Sequence, residues 1–175
     1  MDNFLQKLPS FVRIWLFEYI KKFATIQGRA TRAQYWYSYL CVVIVNIILS
    51  ILGIIPGIGV LFGIISYVFG LACIIPGITI TARRLHDIGL SALWILWSFL
   101  GTIGIAILGF IFIGLAAGLG APVCAYIGIA IFVIGYIAAA VLWIYFLVKP
   151  SNEGANKFGE PAEIKELSSF KLKAE

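Results

Sequence analysis

The chain has little charge, and the charges it has are confined to three segments. Only 12% of its 175 residues are Asp, Glu, Lys or Arg, and none lies within residues 33–82 or 88–148. Soluble domains carry about 25% charged residues. With 62% hydrophobic residues and a mean hydropathy of +1.03, the composition excludes a soluble globular domain.

The residue types that most often carry out chemistry are also scarce. There is one histidine, His86, and the three cysteines lie in apolar runs without the spacing of a metal site. His86 and Asp87 are adjacent, and neighbouring residues on a helix diverge by about 100°, so they do not form a ready-made catalytic dyad. No serine or cysteine has the context of a nucleophile. We therefore expect no catalytic residue, no metal, no cofactor and no enzymatic activity.

The two uncharged blocks are long enough to cross a membrane more than once. They contain 50 residues (33–82) and 61 residues (88–148), and one crossing needs about 20 apolar residues. Each block therefore holds two crossings and a turn, which predicts an all-α membrane protein with four transmembrane helices. The expected spans are residues 35–55, 60–81, 92–115 and 123–148, in a membrane domain of residues 29–148 followed by a tail of residues 149–175.

Residues 1–28 are predicted to be an interfacial segment, with an amphipathic helix over about residues 3–27. Its apolar residues recur at helical spacing: Val12, Trp15, Leu16, Tyr19, Ile20 and Phe23. The polar residues of the opposite side are Arg13, Glu18, Lys21 and Lys22. The alternative is a helix that packs on the protein's own cytoplasmic surface.

The distribution of cations predicts the orientation. All 13 Lys and Arg residues lie in residues 1–32, 83–84 or 149–173, and four spans place these three segments on one side of the membrane. Lys and Arg accumulate in cytoplasmic loops. Both termini and the loop that contains Arg83 and Arg84 are therefore expected in the cytoplasm.

Local signals mark the ends of several helices. Thr31 and Gln34 fit a capping box at the start of the first span, and Gly89 can end the second. Asn46 is the one amide near the middle of a span, and we expect it to hydrogen-bond to a neighbouring helix rather than to a ligand.

Three motifs occur in the charged segments: GRATRAQYW (28–36), RRLHDIGLS (83–91) and NEGANKFGEP (152–161). In order and placement they resemble the DUF805 family of small bacterial inner-membrane proteins, whose pattern is GRxxRxxYW, RRLHDxxxSxWW and GxNxFG before a proline. The resemblance covers about residues 24–163, and Leu93 stands where the family often has the first tryptophan of a pair. It implies the bacterial inner membrane as the location, and the family has no established function.

The predicted topology brings the three motifs to one surface. We expect a polar cluster there, with these candidate residues: Arg29, Arg32, Arg83, Arg84, His86, Asp87, Asn152, Asn156 and Lys157. If the second helix continues through its motif, Arg83 and Asp87 are four residues apart and can pair. Arg84 would then point towards headgroups or towards residues 28–32.

Two interpretations of this cluster stay open. Arginines beside helix N-termini favour a phosphate or carboxylate, which indicates a site for anionic lipid headgroups or a protein partner. The other interpretation is a structural cap that seals the cytoplasmic face. The expected function is thus a non-catalytic membrane component whose partners are lipids, a second copy or another membrane protein, and not nucleic acid. A small oligomeric transporter or channel is the alternative.

Overall fold

The computed structural model describes residues 7–164 of the chain. A short N-terminal helix continues into one π-helical turn, and four long helices follow. Their bounds are α1 Ser10–Leu16, the π-helical turn Phe17–Lys21, α2 Arg32–Gly53, α3 Gly59–Asp87, α4 Leu93–Leu119 and α5 Pro122–Val148. Each of the four long helices is long and apolar enough to cross a membrane. The predicted class, all-α with four membrane-spanning helices, is confirmed.

The described residues form two compact units. The first comprises residues 7–89 and 150–164, and the second comprises Leu90–Lys149. The first unit therefore contains α1, α2 and α3 with the segment that follows α5, and it holds all three sequence motifs apart from Leu90 and Ser91. The second unit is the α4–α5 hairpin.

The N-terminal helix packs on the protein. Its buried residues are Ile14, Phe17 and Glu18, whereas Ile20 is 60% exposed. The helix pattern placed Glu18 on the polar side, and this is wrong, because Glu18 is fully buried. The packing agrees with the alternative in which the helix covers the protein's own surface. Residues 1–6 lie outside the described part, and contact with a membrane interface stays a prediction.

Helix α2 begins where its capping box predicts. The Thr31 side chain accepts from Gln34 N, and the Gln34 side chain accepts from Thr31 N at 2.8 Å. A tight turn then connects α2 to α3, with Gly57 at φ +87°. Beside this turn the backbones of Gly53 in α2 and Gly59 in α3 are in contact. A Cβ on Gly59 would lie only 2.2 Å from the carbonyl oxygen of Gly53. The close approach of two backbones here requires glycine.

Helix α3 is the longest element and organises the first unit. It continues without a break through Pro76 and ends at Asp87, six residues beyond the predicted end of the span at residue 81. Gly89 follows with φ +80°, the left-handed conformation expected of a helix stop. The C-terminal end of α3 therefore carries the second motif as helix, and residues 82–88 are all buried.

The two helices of the second unit also approach each other closely at glycine residues. A Cβ on Gly128 of α5 would lie 2.7 Å from the carbonyl oxygen of Gly109 in α4. The hairpin buries few side chains otherwise, and its outward surfaces are apolar. Such surfaces are suited to contact with lipid or with other helices.

Candidate functional site

The C-terminal end of α3 carries four of the predicted site residues, and all are buried. Arg83, Arg84 and Asp87 have no exposed surface, and His86 is 7% exposed. Charged side chains are almost never buried to this extent unless they are paired. The pairs they make therefore define the site.

Asp87 is shared by two arginines. Its Oδ1 accepts from Arg29 Nε at 3.0 Å, and its Oδ2 accepts from Arg84 Nη1 at 2.5 Å. The expected pair between Arg83 and Asp87 is wrong, because Arg84, one turn before Asp87, takes that place. Arg84 points into the cluster rather than towards headgroups, and one carboxylate compensates two guanidinium groups.

Arg29 connects the first motif to the third. Its Nη1 donates to Gly154 O at 2.6 Å, and its Nη2 donates to Asn152 O at 2.6 Å. Longer bonds of 3.4 Å reach Gly159 O and Asp87 O. The planar guanidinium has five donors in a fixed fork, so one side chain holds a folded segment of backbone against the end of α3.

Both flanking motifs also form hydrogen bonds with the end of α3, and the third motif caps it. The last carbonyls of a helix lack partners within the helix. Here Asp87 O accepts from Asn152 N at 3.0 Å, and His86 O accepts from Asn156 Nδ2 at 2.9 Å. On the other side, Arg83 O accepts from Ala30 N at 3.0 Å. Residues that are distant in sequence thus supplement the local bonds of this helix end, from Ile88 N to Leu85 O and from Gly89 N to His86 O.

His86 is held by one polar contact at the edge of its ring and by one aromatic ring stacked on its face. Its Nδ1 lies 3.2 Å from Gly28 O, and we assign the proton to Nδ1 because a carbonyl can only accept. The ring stacks on Phe158 with centroids 3.9 Å apart and planes 6° apart. The stack ties His86 to the segment that caps it, and Phe158 was not among the predicted residues.

A second buried cluster was missed by the sequence patterns. Glu18 Oε1 accepts from Gln34 Nε2 at 3.0 Å, and Glu18 Oε2 lies 2.6 Å from Arg83 Nη1. The Arg83 contact is ionic and lies off the N–H direction. Within residues 7–164, the Nε and Nη2 donors of Arg83 and the hydroxyl of Ser38 have no hydrogen-bond partner. Glu18 sits in the π-helical turn and links the N-terminal helix to α2 and α3.

The remaining predicted residues lie at the surface. Arg32 is the first residue of α2 and is exposed, while Asn152 and Lys157 are exposed in the third motif. Lys157 Nζ lies 5.0 Å from the centre of the Phe158 ring. All nine predicted residues therefore belong to the first unit, with the arginines of motifs one and two buried except for Arg32.

A small cavity opens beside the buried Arg29. It has a volume of about 270 Å³ and is lined by Lys22, Arg29 and residues 160–163, which include Glu160 and Glu163. Along residues 7–164 no group of three or more His, Cys, Asp or Glu side chains could hold a metal ion. The cavity is thus lined by charges of both signs, beside the cluster.

Comparison with known proteins fits the three motifs. The profile of the family described as "Protein of unknown function (DUF805)" matches residues 23–160. The chain belongs to this family. The predicted recognition is thereby confirmed, and the match covers α2 to α5 and all three motifs apart from the final Pro161.

Two curated relatives are inner membrane proteins of Escherichia coli strain K12. The chain is 32% identical to inner membrane protein YhaI over 90 residues, which is 51% of this chain and 75% of YhaI. It is 30% identical to inner membrane protein YhaH over 92 residues, or 51% of this chain and 76% of YhaH. No solved structure matches the chain significantly. Together with the four membrane-capable helices, these relatives show that this is a polytopic membrane protein of an inner-membrane family.

Proposed function

We propose that this DUF805 protein is a non-catalytic component of the bacterial inner membrane that binds anionic lipid headgroups at its polar cluster. The observation that carries the proposal is a concentration of buried positive charge. Within residues 7–164, Arg29 and Arg84 pair with Asp87 and Arg83 pairs with Glu18, and all five side chains are at least nine-tenths buried. Buried cations are costly unless they are paired, and a phosphate at the edge of the cluster would add negative charge beside Arg29, which lines a cavity there.

The cavity supplies the access for such a group. Lys22 and Arg29 line it, and Arg29 is itself part of the cluster. Arg32, at the positive N-terminal end of α2, adds an exposed cation close enough to Arg84 for their charges to repel. Glu160 and Glu163 at the rim suit a lipid whose headgroup carries neutral or positive groups beyond its phosphate.

The proposal requires the cluster to face the cytoplasm, where anionic lipids attract basic segments. The restriction of all 13 Lys and Arg to residues 1–32, 83–84 and 149–173 supports this orientation, with both termini inside. A periplasm-active reporter fused after Gly57 or Gly120 should be active. A reporter that reads cytoplasmic at either position contradicts the orientation.

Native mass spectrometry of the gently solubilised protein tests the lipid site. We expect co-purified phosphatidylglycerol, and we expect Lys22→Gln and Arg32→Gln each to lower its retention about five-fold, since a cation near the surface contributes about 1 kcal/mol. Lys7→Gln removes an exposed cation outside the cavity and is the matched control. Equal retention in all three variants would refute the proposal.

The alternative from the sequence, a small oligomeric transporter or channel, makes a different prediction. Purified protein in liposomes would then move an ion or a solute. Flux that requires the protein, combined with no selective retention of anionic lipid, would favour transport over headgroup binding.

A further inference from the structure

Asn46 places an amide in the apolar part of α2. It lies seven residues before the end of the helix at Gly53, which is about 10 Å at a rise of 1.5 Å per residue. The residues around it are isoleucine, leucine and valine, and several of them are exposed: Ile44, Ile47, Ile48 and Ile51. In a membrane, this depth is hydrocarbon without water.

The amide is only partly satisfied. Its Nδ2 donates to Val42 O at 2.9 Å, a carbonyl of its own helix, and not to a neighbouring helix as expected from the sequence. Among the described residues of the first unit, no donor reaches its Oδ1. Because Asn46 is half-exposed, that oxygen needs a hydrogen-bond donor from outside the contacts of this unit.

The residues that share its side of α2 form a seam. Tyr39, Val43, Asn46 and Ser50 follow the spacing four, three, four, the pattern by which one helix packs along another. Tyr39 and Ser50 are exposed, and Val43 and Asn46 are half-exposed. Ser50 is small, as residues at membrane helix interfaces commonly are.

The unsatisfied amide oxygen of Asn46 indicates what kind of partner covers the seam. Lipid tails offer no donor to Asn46 Oδ1, so a lipid-covered seam would leave the amide unsatisfied. A second copy in the same membrane carries its own Asn46 at the same depth. About a two-fold axis along the membrane normal, each amide can donate to the other's oxygen. We infer that two copies of this chain associate through the α2 seam, with Asn46 paired to Asn46 of the second copy.

Cysteine cross-linking in membrane vesicles tests the seam, in a background with Cys41, Cys73 and Cys124 replaced by alanine. Val43→Cys and Ser50→Cys should form a disulfide-linked dimer on mild oxidation. Ile44→Cys and Ile51→Cys are matched controls, because each lies one residue further on and is rotated by about 100°. They should stay monomeric.

The amide is tested by an equilibrium measurement, such as energy transfer between labelled copies in detergent or liposomes. Asn46→Val should lower the association constant about 3- to 30-fold, the range for an interhelical hydrogen bond lost in a membrane. Thr102→Val is the control, since this hydroxyl in α4 donates to Phe99 O of its own helix at 2.8 Å. It should leave the association unchanged.

Three results overturn the inference. The first is that the cysteines at positions 43 and 50 give only monomer, and the second is that the cysteines at positions 44 and 51 cross-link to the same extent as those at 43 and 50. The third is that the Asn46→Val protein associates as strongly as the original protein. The inference is independent of headgroup binding. Phosphatidylglycerol retention measured on Asn46→Val in the same experiments separates a failure of the seam from a failure of the lipid site.

Discussion

The buried pair of Glu18 and Arg83 allows a direct test of how ion pairing contributes to the stability of the first unit. Their side chains have no exposed surface, and Nη1 lies 2.6 Å from Oε2. Glu18→Gln keeps an oxygen for Gln34 but removes the charge that compensates Arg83. Removing one partner of a buried pair costs about 3–5 kcal/mol, because the other charge is left buried without compensation. We expect Glu18→Gln and Arg83→Met each to destabilise the protein by about this amount.

The double variant gives the decisive result. Glu18→Gln combined with Arg83→Met leaves no charge at this position, and replacing both members of a buried pair by uncharged groups is often close to neutral. The double variant should therefore cost less than either single change. Residues in contact are expected to deviate from additivity in this way.

The measurement is the free energy of unfolding in mixed micelles, with SDS as denaturant and tryptophan fluorescence as signal. Glu153→Gln makes the same chemical change at an exposed carboxylate, and it should change stability by less than about 0.5 kcal/mol. If the two single costs add in the double variant, about 6–10 kcal/mol in all, the pair is not coupled and the reasoning fails.

Two further predictions concern the cap of α3. Gly89→Ala should lower the free energy of unfolding more than Gly154→Ala does in the same assay. Both glycines have a positive φ. A Cβ on Gly89 would lie 2.8 Å from Asn152 Nδ2, whereas a Cβ on Gly154 would have nothing within 4 Å. If both substitutions lower the free energy of unfolding equally, the cost comes from backbone strain alone and not from the contact with Asn152. Arg29→Lys keeps the charge beside Asp87 but loses the fork that reaches two carbonyls, so hydrogen exchange over residues 152–159 should accelerate about ten-fold or more, given about 1.5–3 kcal/mol per charged hydrogen bond. Unchanged exchange would show that Arg29 does not hold this segment.

The number of spans could be predicted from the sequence because it depends on length and charge alone. Two charge-free blocks of 50 and 61 residues admit two crossings each. The second span is predicted to end at residue 81, because Arg83 and Arg84 mark the end of the apolar region, but the helix that carries the span is longer. In the structure their charges are paired inside the protein, so the helix continues to Asp87.

The candidate cluster was found, but its pairing was not. Glu18 was assigned to the solvent side because its helix is amphipathic, and its partner Arg83 is 65 residues away in sequence. A local pattern cannot show such a contact. One signal was available: Glu18 is the one acidic residue between residues 3 and 86, a stretch that also contains eight Lys and Arg. The stack of His86 on Phe158 likewise joins residues from opposite ends of the chain.

The bonds of Arg29 also set an order of events during synthesis. Its acceptors on Asn152 and Gly154 lie 123 and 125 residues further along the chain. At about 5–20 residues per second, they leave the ribosome roughly 6–25 s after Arg29. Until then, the N–H of Asn152 is not available to cap Asp87 O. The polar cluster is therefore completed last, and a nascent chain stopped before residue 150 would contain α1 to α5 but not the bonds that Asn152 and Asn156 make to the end of α3.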